Sequence, residues 1–141
     1  MAKLIYLDSN VLISFLRDEI DGSFRLLSLE AKQFFDYAGR EKCKLILSDL
    51  FYKEIKDVIK LDVQSIKQFF SSIKINFEEI ESVNQDFLES KKLENLGVHY
   101  PDSFHAAIAI RAECDCIVTF NIRDFKTLSK KIDIIEPKNF I

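Results

Sequence analysis

Three glycines and two prolines among 141 residues leave little material for tight turns, so a turn-rich all-β barrel or sandwich is excluded. No apolar run approaches the roughly 20 residues of a membrane span. Asp8 interrupts the apolar stretch from Leu4 to Leu16, so a signal peptide is not expected either. Cysteine is scarce and odd in number: Cys43, Cys114 and Cys116. Cys114-Asp115-Cys116 has the wrong spacing for a zinc knuckle or a redox pair, and the three read as small core residues of a reducing, cytoplasmic protein. A basic surplus is also missing. Twenty basic residues against 23 acidic ones give a net charge of -3, unlike a simple nucleic-acid binder, although a bound cation can reverse the sign locally. What the chain does have is apolar residues, 48% of the total, enough for a core without disulfide or metal staples. The length suits one domain spanning 1–141.

Hydrophobic periodicity lays out the elements. Lys3–Leu7 reads as a buried strand, and VLISFLR follows as a helix with Asp8, Ser9 and Asn10 as possible caps. Phe24–Arg40 reads as a helix weakened at its end by Gly39, and Lys44–Leu47 as a second strand. Ser48 can cap a helix to about Lys60, and Asp62 another through Lys74. Ile75–Ile80 is ambiguous, a candidate third strand. Ser82–Leu96 is a helix stopped by Gly97. Pro101-Asp102 opens the very apolar FHAAIAIRA, and Cys116–Thr119 and Asp133–Ile135 are the last strands. Short apolar strands separated by helices predict an α/β protein, a three-layer α/β/α sandwich on a parallel sheet of four to five strands. Ligands of such sheets bind beyond the carboxyl ends of the strands.

Acids stand at those places. Asp8 follows the first strand, where a helix cap is the plain alternative and Ser9 or Asn10 could cap instead. Glu54 falls inside the stripe Leu50, Phe51, Ile55, Val58 and Ile59, at about 100° per residue. An unpaired carboxylate buried there is costly, so it needs a partner or a purpose. Asp102 opens the apolar helix, where a dipole-favoured first-turn acid is equally ordinary. Asn121 and Asp124 follow the CIVT strand, either to shape a turn or to add a polar ligand and a fourth carboxylate, with Thr119 placed to orient them. Clustered carboxylates repel unless protonated or neutralised by a divalent cation. Oxygen donors with little His or Cys nearby suit Mg²⁺ or Mn²⁺, ions that polarise phosphoryl oxygens and activate water. His105, one turn into the Asp102 helix, reads as a packed or substrate-side histidine. Lys53, Lys56, Lys60, Lys67 and Lys74 read as a solvated face, with an RNA-backbone track as the alternative, and Phe34, Phe35, Phe69 and Phe70 as core, with one of each pair at a dimer or partner surface as the alternative.

Three blocks taken together resemble a known family. YLDSNVLISFL, then Glu54 on the helix after the second strand, then PDSFHAAIAIRAECDCIVTFNIRDF are similar to the PIN domain, nearest to VapC-type toxins and stand-alone PIN ribonucleases. The final EPKNFI resembles the segment that closes many of these domains. The resemblance implies that Asp8, Glu54 and Asp102 are the core metal-site acids, that Asp124 or Asn121 completes the set, and that Asn10 and Thr119 support it. It implies a Mg²⁺- or Mn²⁺-dependent endoribonuclease, an RNA substrate, a homodimer and, in toxin members, a small antitoxin. The alternative is a non-catalytic PIN-like RNA-binding or scaffolding module. A phosphatase with an aspartate nucleophile would want a second Asp where this chain has Asn10.

Overall fold

The computed structural model describes residues 2–141. Its sheet has five parallel strands in the order β3-β2-β1-β4-β5, formed by β1 (Leu4–Leu7), β2 (Lys44–Ser48), β3 (Asn76–Ile80), β4 (Cys116–Val118) and β5 (Asp133–Ile135). The ambiguous 75–80 segment is therefore a strand, and it lies at an edge, which is why its apolar pattern is weak. Between the strands run α1 (Ser9–Arg17), α2 (Leu27–Arg40), α3 (Asp49–Ile59), α4 (Val63–Ser72), α5 (Asn84–Glu94), α6 (Asp102–Arg111) and the short α7 (Ile122–Phe125).

Strand side chains alternate between two cores, as a period of two requires. Ile5, Leu7, Leu45, Leu47, Cys116 and Val118 face one way, toward Phe34 of α2, Phe51 and Ile55 of α3 and Phe70 of α4. Tyr6, Ile46 and Ile117 face the other, toward Leu93 of α5, Ala106, Ala107 and Ile108 of α6 and Phe125 of α7. Both faces are covered, which gives the expected three layers and explains why the central strands read as unbroken apolar runs. The paired phenylalanines are core: Phe34, Phe35 and Phe70 are buried, and Phe69 packs against them with ring centroids 5.3 Å from Phe70 and 6.2 Å from Phe35.

Local chemistry sets the element ends. Ser48 Oγ accepts from Phe51 N at 3.1 Å and Asp62 Oδ1 from Ser65 N at 2.8 Å, the two expected caps. Helices α4 and α5 end at Ser72 and Glu94, two residues short of the expected Lys74 and Leu96, and two helix starts differ from the sequence reading. α2 begins at Leu27, not Phe24, because Asp21 Oδ1 accepts from the backbone of Ser23 and Arg25 and turns the chain there, with Phe24 at φ 62°. α5 begins at Asn84, not Ser82, because Ser82 gives its N–H and hydroxyl to Asp49 while Asp86 reaches back to Val83 N. Gly39 lies inside α2, whereas Gly97 follows α5 at φ 96°, where only glycine is comfortable. The strand order reverses at β1. The chain builds outward through β2 and β3, then returns to add β4 and β5 on the other side. The crevice beyond the carboxyl ends of β1 and β4 is thus the switch point, where such sheets bind ligands.

Candidate metal centre

Asp8 stands one step past the register pair Leu7–Val118, and its N–H extends that ladder to Val118 O at 3.2 Å. It occupies the N-cap position of α1, yet its carboxylate makes no capping bond. Instead Oδ2 accepts from Thr119 Oγ1 at 2.7 Å, across the switch point. Thr119 is itself fully buried and braced: Asn10 Nδ2 donates to its hydroxyl at 3.3 Å, and that hydroxyl also accepts from Asn121 N at 2.9 Å. Asn10 Oδ1 accepts from Phe120 N at 3.3 Å, so the α1 start and the β4 end are tied side by side.

Glu54 projects from α3 toward the same point. The apolar face of α3 centres on Phe51 and Ile55, while Val58 is exposed, so Glu54 sits at the border of the stripe and is half-buried. Its Oε1 takes two short bonds, from Ser9 Oγ at 2.7 Å and with His105 Nε2 at 2.7 Å. Nε2 of His105 also lies 3.9 Å from Asp8 Oδ1. Asp8, Glu54 and His105 can each offer a ligand atom with all three within 4.8 Å of one another. Asp102, in the first turn of α6, does not join that close group, but its field does: its pKa is pushed up to about 6 by burial first, then by the charges of Asp8, Asp124 and Glu54 against the opposing His105. Asp124 is exposed on α7 and close enough for its charge to be felt at Asp102. Among the described residues Asn121 engages the site through its backbone N–H, given to Thr119.

Burial shifts Asp8 upward more than His105 and Thr119 can offset. For Glu54 burial also pushes upward, but the bond and charge of His105 and the Ser9 hydroxyl outweigh it and hold the group below the usual carboxylate range. His105 is pushed down by burial and pushed up further by Glu54, Asp8 and Asp102, with a net rise. Asp8 and Asp102 are thus buried first and also feel neighbouring carboxylates, a condition that a divalent cation relieves. The donor set fits such an ion. Asp8 and Glu54 each have one oxygen tied by protein hydroxyls, and Glu54 Oε2 makes no hydrogen bond among the described residues.

Of the four acids named from the sequence, Asp8 and Glu54 come together and Asp102 and Asp124 lie outside the close group, while Ser9, Tyr6 and His105 were not counted among the candidate site residues. His105 lies three residues after Asp102, hence on the same side of α6, which was the available signal. Its contact with Glu54, 51 residues away, was not visible. The lysine face is a solvated one as expected, with Lys53 paired to Asp57 and Lys67 to Glu79.

The fold and the crevice define a class: a parallel α/β/α sandwich with acids gathered where the strand order reverses. The PIN domain pattern matches residues 5–131, and the chain belongs to the PIN domain family. Two solved structures share its fold. A toxin-antitoxin complex from Klebsiella pneumoniae aligns with a TM-score of 0.64 at 20% identity, covering 94% of this chain and 97% of that one. VapBC-1 from nontypeable Haemophilus influenzae aligns with a TM-score of 0.65 at 16% identity, covering 96% and 99%. No curated protein sequence matches the chain. Among the described residues no helix is long and apolar enough to cross a membrane.

Proposed function

We propose that this chain, one domain over 1–141, is a divalent-metal-dependent endoribonuclease, the toxin of a toxin-antitoxin pair. The observation that carries the reading is Asp8: a buried carboxylate at the switch point, its ligand atom within 4.8 Å of one on Glu54, beside an Asp102 raised by burial and then by these charges. Family membership and the two structural neighbours support the toxin assignment.

Asp8, Glu54, Asp102 and Asp124 would hold the ion, Mg²⁺ or Mn²⁺, because carboxylate oxygens suit these hard cations. When bound, such an ion polarises phosphoryl oxygens and lowers the pKa of water. The chain's own residues prepare the site. Thr119 fixes one oxygen of Asp8, Asn10 fixes Thr119, and Ser9 fixes one oxygen of Glu54. Asn121 and Asp124 are both exposed, and a phosphodiester entering from the α7 side would meet them. A homodimer, a small antitoxin partner and a cytoplasmic location belong to the same proposal.

The test is cleavage of labelled RNA by ribonuclease-free protein with Mn²⁺. EDTA, Asp8→Ala and Asp102→Ala each silence it, because uncatalysed phosphodiester hydrolysis is too slow to leave a visible remainder. Near-normal cleavage by Asp124→Ala would make Asp124 structural. Cleavage that persists in EDTA or in Asp8→Ala refutes the assignment, and a clean wild type that cleaves nothing but binds RNA favours a binding module.

A further inference from the structure

His105 is 1% exposed, and both of its ring nitrogens are engaged. Nδ1 meets Tyr6 OH at 2.6 Å and Nε2 meets Glu54 Oε1 at 2.7 Å. Tyr6 OH in turn meets Ser48 Oγ at 2.7 Å, and Ser48 caps α3 through Phe51 N at 3.1 Å. The path leaves α3 at its cap, crosses β1 at Tyr6 and α6 at His105, and returns to α3 at Glu54. Glu54 and Asp102 lie on α3 and α6, and Asp8 directly follows β1. Tyr6 is two residues before Asp8, His105 one turn past Asp102, and Glu54 ends the path. Ser48 and Tyr6 are fully buried, so no water competes for the links.

The direction of the hydrogens follows from the chemistry. An ionised carboxylate only accepts, so Nε2 must carry the hydrogen it shares with Glu54. With a neutral imidazole Ser48 donates to Tyr6, Tyr6 to Nδ1 and Nε2–H to Glu54; with a charged one Nδ1–H donates to Tyr6, and Nε2–H still ends on the acid. In either arrangement neither nitrogen is free to bind a metal, although His105 lies within 4.8 Å of both acids' ligand atoms. With Ser9 and His105 both on Oε1, the remaining oxygen of Glu54 has no hydrogen-bond partner among the described residues.

Resting on the metal-site reading above, we propose that His105 is a positioning residue: backed by Tyr6, it holds Glu54 Oε1 and so fixes the other carboxylate oxygen for a divalent cation. Hydrogen-bonding partners of ligands commonly set affinity to this degree, and their loss costs about 10- to 100-fold.

The experiment measures Mn²⁺ binding to the whole chain by the electron paramagnetic resonance of free Mn²⁺, with thermal melts confirming each variant's fold. Tyr6→Phe keeps the ring and removes the backing hydroxyl. His105→Asn keeps a group near Tyr6 and loses the reach to Glu54. His105→Gln places an amide N–H near the position of Nε2. Tyr6→Phe and His105→Asn are expected to weaken Mn²⁺ binding about tenfold or more, and His105→Gln to recover to within about threefold of wild type. RNA turnover should fall through kcat with KM little changed. Wild-type affinity in both Tyr6→Phe and His105→Asn overturns the proposal. So does a His105→Gln no better than His105→Asn, which would make the imidazole itself a ligand. A wild type that takes up no Mn²⁺ defeats the functional reading instead. The link is then judged in EDTA by the imidazole Nε2–H proton in NMR, which should exchange slowly in wild type and faster in Tyr6→Phe. Rapid exchange in wild type overturns the proposal whatever the metal does.

Discussion

Asp102→Asn separates the charge of the candidate site from its shape. In the metal-free protein the folded-state pKa of Asp102 rises from 3.8 to about 6, through burial and then the neighbouring carboxylates. A shift of about two units corresponds to about 3 kcal/mol at about 1.4 kcal/mol per unit. Asp102 is only half-buried, so solvent screening reduces this to about 1 kcal/mol. The sign is set by linkage. A raised folded pKa favours folding below the unfolded value and penalises it as pH rises through the folded one. The penalty is therefore full above about pH 6 and fades as pH falls toward 3.8. Asparagine keeps the shape and removes the charge. In EDTA at neutral pH, Asp102→Asn should melt about 3 °C higher than wild type, for a domain of this size. The gain should shrink in melts at pH 4. Saturating Mn²⁺ should reverse the order, because ligand binding stabilises only the form with the intact site. A variant that is less stable than wild type in EDTA, or whose gain does not depend on pH, would refute the reasoning that burial and neighbouring charge penalise the ionised Asp102.

Three further outcomes test the supporting structure. Thr119→Val removes the hydroxyl that holds Asp8 Oδ2 and should weaken Mn²⁺ binding about tenfold in a calorimetric titration, with the fold retained. Asp86 is 1% exposed and its Oδ1 accepts from Arg111 Nε at 2.8 Å. Arg111→Met should therefore cost about 2 to 3 kcal/mol in urea unfolding, since it strands a buried acid, whereas the nearby exposed Glu113→Gln should cost under about 0.5 kcal/mol. Phe70 is fully buried among Phe35, Phe69 and Phe77, and Phe70→Ala should cost about 3 to 5 kcal/mol by the same measurement.

The sheet was legible because its central strands are buried on both faces, so KLIYL, KLIL and CIVT are plain apolar runs. β3 was ambiguous for the converse reason: an edge strand of the pattern NFEEI buries little and leaves no clear period. The α2 start was misread because Phe24 and Leu26 continue the apolar spacing, while Asp21 captures the backbone there and turns it. Spacing reports which residues are apolar. It is silent on a side chain that competes for backbone hydrogen bonds.

Legibility of the candidate site divides along similar lines. Asp8 and Asp102 could be found because each sits at an element boundary next to apolar runs, where a charge is conspicuous. Glu54 was found because it interrupts a stripe, although Val58 proves exposed and the stripe is narrower than its spacing suggested. His105 could not be found that way. In a helix buried on nearly every side, a histidine looks like packing, and its purpose depends on what α3 and β1 bring to it. The acids announce themselves one at a time by being costly where they stand. The groups that make them tolerable, Thr119, Ser9 and His105, are ordinary in sequence and act only across contacts 45 to 111 residues apart. A reading from one sequence therefore recovers the charges of such a site before the hydrogen bonds that aim them. On the proposed reading, those bonds decide which carboxylate oxygen is left for a cation.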